Sequence, residues 1–217
     1  MANTLPINIP IPAESAIASY DYTDIADGAG YTTFDCFATT SSTATAYIMA
    51  RNGSRTSPGV ISALFNNTTG TQTVEFITSA FNTPRILKGK VLLYISHGSL
   101  TTNSSHPATS YVTATLKQNS TSLGSAISPT GTTGATIDTI FVHQNVLEIN
   151  ITTPVNIKIG DTLTLSVVQT CGAGGISNKV FYIWFDPLDT AITSSYTVNP
   201  TTADSYLKVR IPFKIQL

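Results

Sequence analysis

A strict alternation of apolar and polar side chains near the C-terminal end constrains this chain more than any other feature. Leu207, Val209, Ile211, Phe213, Ile215 and Leu217 fall on one parity, and Tyr206, Lys208, Arg210, Lys214 and Gln216 on the other. A period of two is the repeat of a strand with one buried and one wet face, and a helix would scatter these residues around its axis. Pro212 falls on the polar-facing parity and has no amide donor, which predicts an edge strand or a bulge there.

The same period recurs along the chain. From Arg85 to Ser96, Leu87, Val91, Leu93 and Ile95 share a face opposite Lys88, Lys90, Leu92 and Tyr94, with Gly89 marking a bulge or a close backbone approach. Val74, Phe76 and Thr78 alternate with Glu75 and Ile77; Val112, Ala114 and Leu116 with Thr113, Thr115 and Lys117. Leu147, Ile149 and Ile151 alternate with Glu148, Asn150 and Thr152, and Leu163, Leu165 and Val167 with Thr162, Thr164 and Ser166. Each reads as a strand with one wet face. Residues 180–185 are apolar throughout and read as a strand buried on both faces. Residues 31–37 and 46–50 add two more, the second followed by the turn signal Asn52-Gly53. Helical signals are few: Ala13 to Tyr20 and Val60 to Phe65 could each form a turn or two.

Many strands separated by Gly, Ser, Thr and Asn turns at intervals of about 8–12 residues indicate a sandwich or barrel. At 217 residues, with no linker and no internal repeat, the chain reads as one all-β domain over residues 16–217. The expected fold is an antiparallel β-sandwich, jelly-roll-like, with elaborated loops. Residues 1–15 read as an extended arm, because Pro6, Pro10 and Pro12 alternate with Ile7, Ile9 and Ile11 and oppose helix and central-strand pairing. Those isoleucines are too apolar for a tail in water. Two readings stand: a cover on the domain's own sheet, or an arm docked on a neighbouring subunit.

Composition narrows the function. Charged residues are 11% of the chain, against about 25% in an average soluble domain, and the polarity comes instead from Ser and Thr. A net charge of -1 gives no basic domain for nucleic acid. No apolar run reaches the ~18 residues of a transmembrane helix, and Met1 to Pro12 lacks the pattern of a secretory signal. Cys36 and Cys171 read as free, buried thiols.

Catalytic chemistry is hard to find. His97, His106 and His143 are scattered with no metal-ligand spacing, and no cofactor or metal site is expected. There is no phosphate loop and no nucleophile elbow. Gly172-Ala173-Gly174-Gly175 has no helix after it, and the Asp21, Asp24, Asp27 cluster is spaced wrongly for a calcium loop. Glu75, Asp138, Glu148 and Asp161 read as solvated positions rather than an acid–base pair. No catalytic residue is assigned, and the chain reads as a non-enzyme. Tyr47, Tyr94, Tyr111, Tyr182 and Trp184 are aromatics that a sugar-binding module could use, or core and sheet-face residues.

One pattern suggests an interface. Lys88, Lys90, Lys208, Arg210 and Lys214 all fall on the polar sides of the two clearest strands. If those strands share a sheet they form a basic stripe. The stripe reads either as lysine protection of a sheet edge or as a docking face for an acidic surface. With Ile7, Ile9 and Ile11 of the arm, these are the candidate interface residues.

Residues 19–34, running from Ser19 through Asp24-Ile25-Ala26-Asp27-Gly28 to Phe34, resemble a family of tailed-phage virion structural proteins. So do residues 84–91, with Lys88-Gly89-Lys90, and the closing Leu207-Lys208-Val209-Arg210-Ile211-Pro212-Phe213-Lys214-Ile215. The resemblance covers most of the chain in order, but residues 99–135 match nothing. It implies a jelly-roll-like capsid decoration, cement or minor virion protein, often a homotrimer. Such a protein is made in the host cytoplasm, sits on the capsid exterior and has the major capsid protein or further copies of itself as partners. A tail, collar or head-fibre component, and a carbohydrate-binding or adhesive module, are the alternatives.

Overall fold

Where the alternation is strongest, the chain forms strands. The computed structural model describes residues 29–40, 45–51, 59–66, 70–101, 109–132, 138–172, 178–185, 191–192 and 194–214. The strands are β1 (Ala29–Thr40), β2 (Thr45–Ala50), β3 (Gly59–Asn66), β4 (Gly70–Ile77), β5 (Arg85–Thr101), β6 (Thr109–Gln118) and β7 (Thr121–Ile127). They continue as β8 (Gly131–Thr132), β9 (Thr139–Ile157), β10 (Leu163–Cys171), β11 (Asn178–Phe185), β12 (Thr197–Asn199) and β13 (Leu207–Lys214). The protein is all-β, with no helix among the described residues. Residues 60–65, expected to form a helical turn, lie in β3 instead. Val60 and Ile61 are β-branched and suit a strand, and β11 supplies the pairing, with Val60 opposite Trp184 and Leu64 opposite Val180.

Hydrogen bonding joins the strands in the order β12-β9-β5-β13-β1-β2-β4-β10-β6-β7. β11 pairs with the distal half of β5 and carries β3 on its other side, and β8 pairs with β6. The pairing is antiparallel, as expected, except at two places. β2 meets β4 in parallel at Ile48 and Ile77, and β12 runs parallel to β9.

The two halves of this path face one another. One apolar cluster takes Phe34, Leu93, Ile149 and Val209 from the β1, β5, β9 and β13 side and Phe76, Leu116 and Leu165 from the β4, β6 and β10 side. β7 closes over β9 so tightly that a Cβ on Gly124 would lie 2.9 Å from Ile149. Each fully buried Leu, Ile or Phe here contributes about 1.5–3 kcal/mol relative to exposure. A smaller cluster lies on the outer side of β5, β9 and β11. There Leu100, Ile140, Val142 and Trp184 are covered by Ile192 and Ala203.

Two expectations change, those for Pro212 and β10, while the one for Gly89 holds. Pro212 does not mark an edge, because β13 lies between β1 and β5; the register with β5 shifts between Arg210 and Phe213, which is the bulge reading. Gly89 faces that bulge with φ of 119° and with the Pro212 ring 3.4 Å from where its Cβ would stand. β10 has no wet face at Thr164 and Ser166, both of which are buried, because these short side chains sit between longer ones on β4 and β6, among them the paired Glu75 and Lys117.

Candidate functional site

The sheet face formed by β1, β13, β5 and β9 collects the interface residues that the sequence singled out. β5 and β13 are hydrogen-bonded neighbours, so Lys88, Lys90, Lys208, Arg210 and Lys214 do share one sheet. Neither strand is an edge, so lysine protection of an edge does not apply to them. The rows across the face are Asp35, Lys208, Tyr94 and Val146, then Thr33, Arg210, Leu92 and Glu148. Two carboxylates are therefore interleaved with the cations, and the face is mixed rather than a pure basic stripe.

Cross-strand diagonals order it. Lys90 Nζ lies 2.9 Å from Glu148 Oε2, with both side chains more than half exposed. The hydrogen bond to Glu148 raises the ammonium above its ordinary range. The Arg210 guanidinium sits 5.0 Å above the Tyr31 ring, a cation–π contact that flattens the arginine against the sheet. Val146, 55% exposed, adds an apolar point beside Tyr94. Arginine and tyrosine are enriched at protein interfaces, whereas the Lys, Asp and Glu that share this face are depleted there. Ile7, Ile9 and Ile11 lie outside the described residues, as do the acidic cluster of residues 21–27, the turn at 52–53, His106 and the glycines at 174–175.

Of the other acids, Glu75 and Asp161 hold structural contacts, and Asp138 is exposed. Glu75 is bound by Lys117 at 2.7 Å, which, with a weaker hydrogen bond from Ser166, lowers its carboxyl. Asp161 ties a turn together, accepting from Asn119, Gln118 and the Lys158 amide. Among the aromatics, Tyr47 packs edge-on against Phe76 and Phe185, and Trp184 is 7% exposed and stacked on Tyr182. Tyr94 and Tyr111 are partly exposed. Cys36 and Cys171 are buried and form no disulfide, and burial, then Asp35, pushes the Cys36 thiol well above its ordinary value.

Sequence spacing did not bring His97 and His143 together, but the sheet does. They are opposite one another on β5 and β9, with ring centroids 5.5 Å apart. The signal was present in the parity: His97 continues the inward run Leu93, Ile95, and His143 the inward run Leu147, Asn145. Among the described residues no group of three or more His, Cys, Asp or Glu is placed to hold a metal ion.

No family model and no curated protein matches the chain. Among solved structures, two of a CocE/NonD family hydrolase from Staphylococcus aureus align with it at a TM-score of 0.44, with 12% and 13% identity. The alignments cover 85% and 86% of this chain but only 37% and 36% of those structures, so the chain spans little more than a third of their length.

Proposed function

We propose that the chain is a virion structural protein, a capsid decoration (cement) protein that acts by binding alone. The observation that carries this reading is the placing of the segments that resemble phage virion proteins. Residues 29–34 in β1, 85–91 in β5 and 207–214 in β13 are side-by-side strands. Together they bear Tyr31, Lys88, Lys90, Lys208, Arg210 and Lys214, the solvent side of one continuous face. Cations on such a face steer an acidic partner and set its register more than they add affinity. The strand order also supports the jelly-roll-like reading: β9-β5-β13-β1 and β4-β10-β6-β7 each interleave strands from distant parts of the chain, as paired Greek keys do.

The partners are an acidic capsid surface and further copies of the chain in a trimer, with residues 1–15 adding a strand to a neighbour. Binding the assembled lattice and not free subunits stabilises the particle by mass action. Light scattering after size exclusion tests this on the full-length chain, a chain lacking residues 1–15, and the triple variant Lys88→Glu, Lys90→Glu, Lys208→Glu. A full-length trimer that dissociates without the arm, and that the triple variant weakens by about tenfold or more, is expected. A monomer in every form, or a trimer indifferent to both changes, sinks the proposal.

A further inference from the structure

The interior of the sandwich changes character along its length. On β5 the inward run of Val91, Leu93 and Ile95 gives way to His97 and Ser99, and on β9 Leu147 gives way to Asn145 and His143. The facing strands change at the same end: Val74 to Gln72 on β4, Val112 to Ser110 on β6 and Val167 to Gln169 on β10. Gln169 Nε2 donates to the Gly98 carbonyl at 3.1 Å and links the two layers there. Among the described residues, six buried side-chain atoms at this end have no hydrogen-bond partner: Gln72 Oε1, His97 Nδ1, Ser99 Oγ, Ser110 Oγ, His143 Nε2 and Ser205 Oγ. Buried polar groups are matched in the great majority of cases, so such a concentration sets this end apart from the apolar remainder of the interior.

The packing favours neutral imidazoles. His97 is 0% exposed, and its Nε2 lies 3.1 Å from Asn145 Nδ2. With the amide nitrogen donating, Nε2 must accept, and a second ring proton would meet a donor. His143 Nε2 is pressed against β8, where a Cβ on Gly131 would overlap the ring. The groups facing the pair are Asn145 from β9, Ile183 and Phe181 from β11, and Gln169 and the Cys171 thiol from β10. Among the described residues, Gln72 from β4, Ser110 from β6, Ser205 ahead of β13 and the Gly131 backbone from β8, which abuts His143, lie at the same end. Asp204 meets this end through its carbonyl, which accepts from Ser96 and Gln144. None of the side chains named as facing the pair is a carboxylate or a cation.

We propose that the His97–His143 pair is an acid-sensitive latch: neutral, it lets the polar end of the sandwich close, and protonated, it opens that end. A charge on His97, which is fully buried, would have no counter-ion among the described residues, and a charge on each ring would repel that on the other. Burial, with His143 second, already holds His97 down at about 3, and burial lowers His143. The chain carries its own reporter. Its one tryptophan, Trp184, lies on the other side of the same strand pair, so close to β5 that a Cβ on Gly98 would stand 2.9 Å from the indole.

The test is an acid titration of the full chain, read by tryptophan emission and near-ultraviolet circular dichroism. The wild type, His97→Gln, His143→Gln and the double variant are compared. The wild type is expected to show a cooperative red shift between about pH 6 and pH 4, and the double variant the same change about one pH unit lower or more. An identical midpoint in the double variant overturns the latch. Should the variants fail to fold, the wild-type imidazole resonances decide. Rings silent until Trp184 moves, then titrating together, support the latch. Either ring titrating near its ordinary value with Trp184 unmoved overturns it.

Discussion

His97 shows at the scale of one residue how a buried group makes stability depend on pH. Folding holds its imidazole at about 3 against an ordinary 6.5, chiefly by burial. Between those values the unfolded chain binds the extra proton and the folded chain does not. The stability is therefore complete above the unfolded value and is lost as the pH falls toward the folded one, at about 1.4 kcal/mol per pH unit. Urea unfolding is expected to give a free energy lower by about 2 kcal/mol at pH 5 than at pH 7, with most of that difference gone in His97→Gln. Equal stability at both values would mean that His97 is solvated in the folded chain.

Among the elements, β5 does the most organising. Its proximal half pairs with β13 and its distal half with β11, while β9 runs along its whole other side. That arrangement needs a break where β13 bulges, and Gly89 provides it at φ 119°, a conformation L side chains rarely adopt. Gly89→Ala is expected to cost about 1–3 kcal/mol, measured by chemical denaturation. A loss below about 0.5 kcal/mol would show that the strand relaxes around the bulge. The same element explains the mixed docking face. Lys90 reaches diagonally to Glu148 because β9 and β5 are in register, and an exposed pair of this kind orders the surface more than it stabilises the fold.

At the scale of the whole molecule, the strands that meet in space are far apart in sequence. β1 pairs with β13 from Ala29 opposite Lys214 to Asp35 opposite Lys208, so the last described strand completes the sheet begun by the first. Leu207, Val209 and Ile211 are fully buried there, each contributing about 1.5–3 kcal/mol. Removing residues 205–217 would also strip two strands of their hydrogen-bonding partner. The three side chains alone come to about 4.5–9 kcal/mol, comparable with the roughly 5–15 kcal/mol that holds a domain together. The truncated chain is expected to lose its near-ultraviolet dichroism and its cooperative unfolding transition; retention of both would show that β1 and β5 can close directly on each other.

The sequence by itself determined the class of fold and which side of most strands turns inward. Leu87, Val91, Leu93 and Ile95 are buried while Lys88 and Lys90 stay in water, because a pleated backbone sends alternate side chains to opposite faces whatever lies beside it. That Cys36 and Cys171 are buried and form no disulfide was legible for a similar reason, as small apolar thiols on buried parities. What parity does not carry is the identity of the neighbour. Only the tertiary structure decided that β10 is shielded on both faces, that residues 60–65 pair as a strand with β11, and that β13 is central. It also interleaved Asp35 and Glu148 among the basic residues and set His97 opposite His143. Each of these depends on a partner tens of residues away, and pairing of that kind is chosen by burying the most apolar surface over the whole chain rather than by any local pattern.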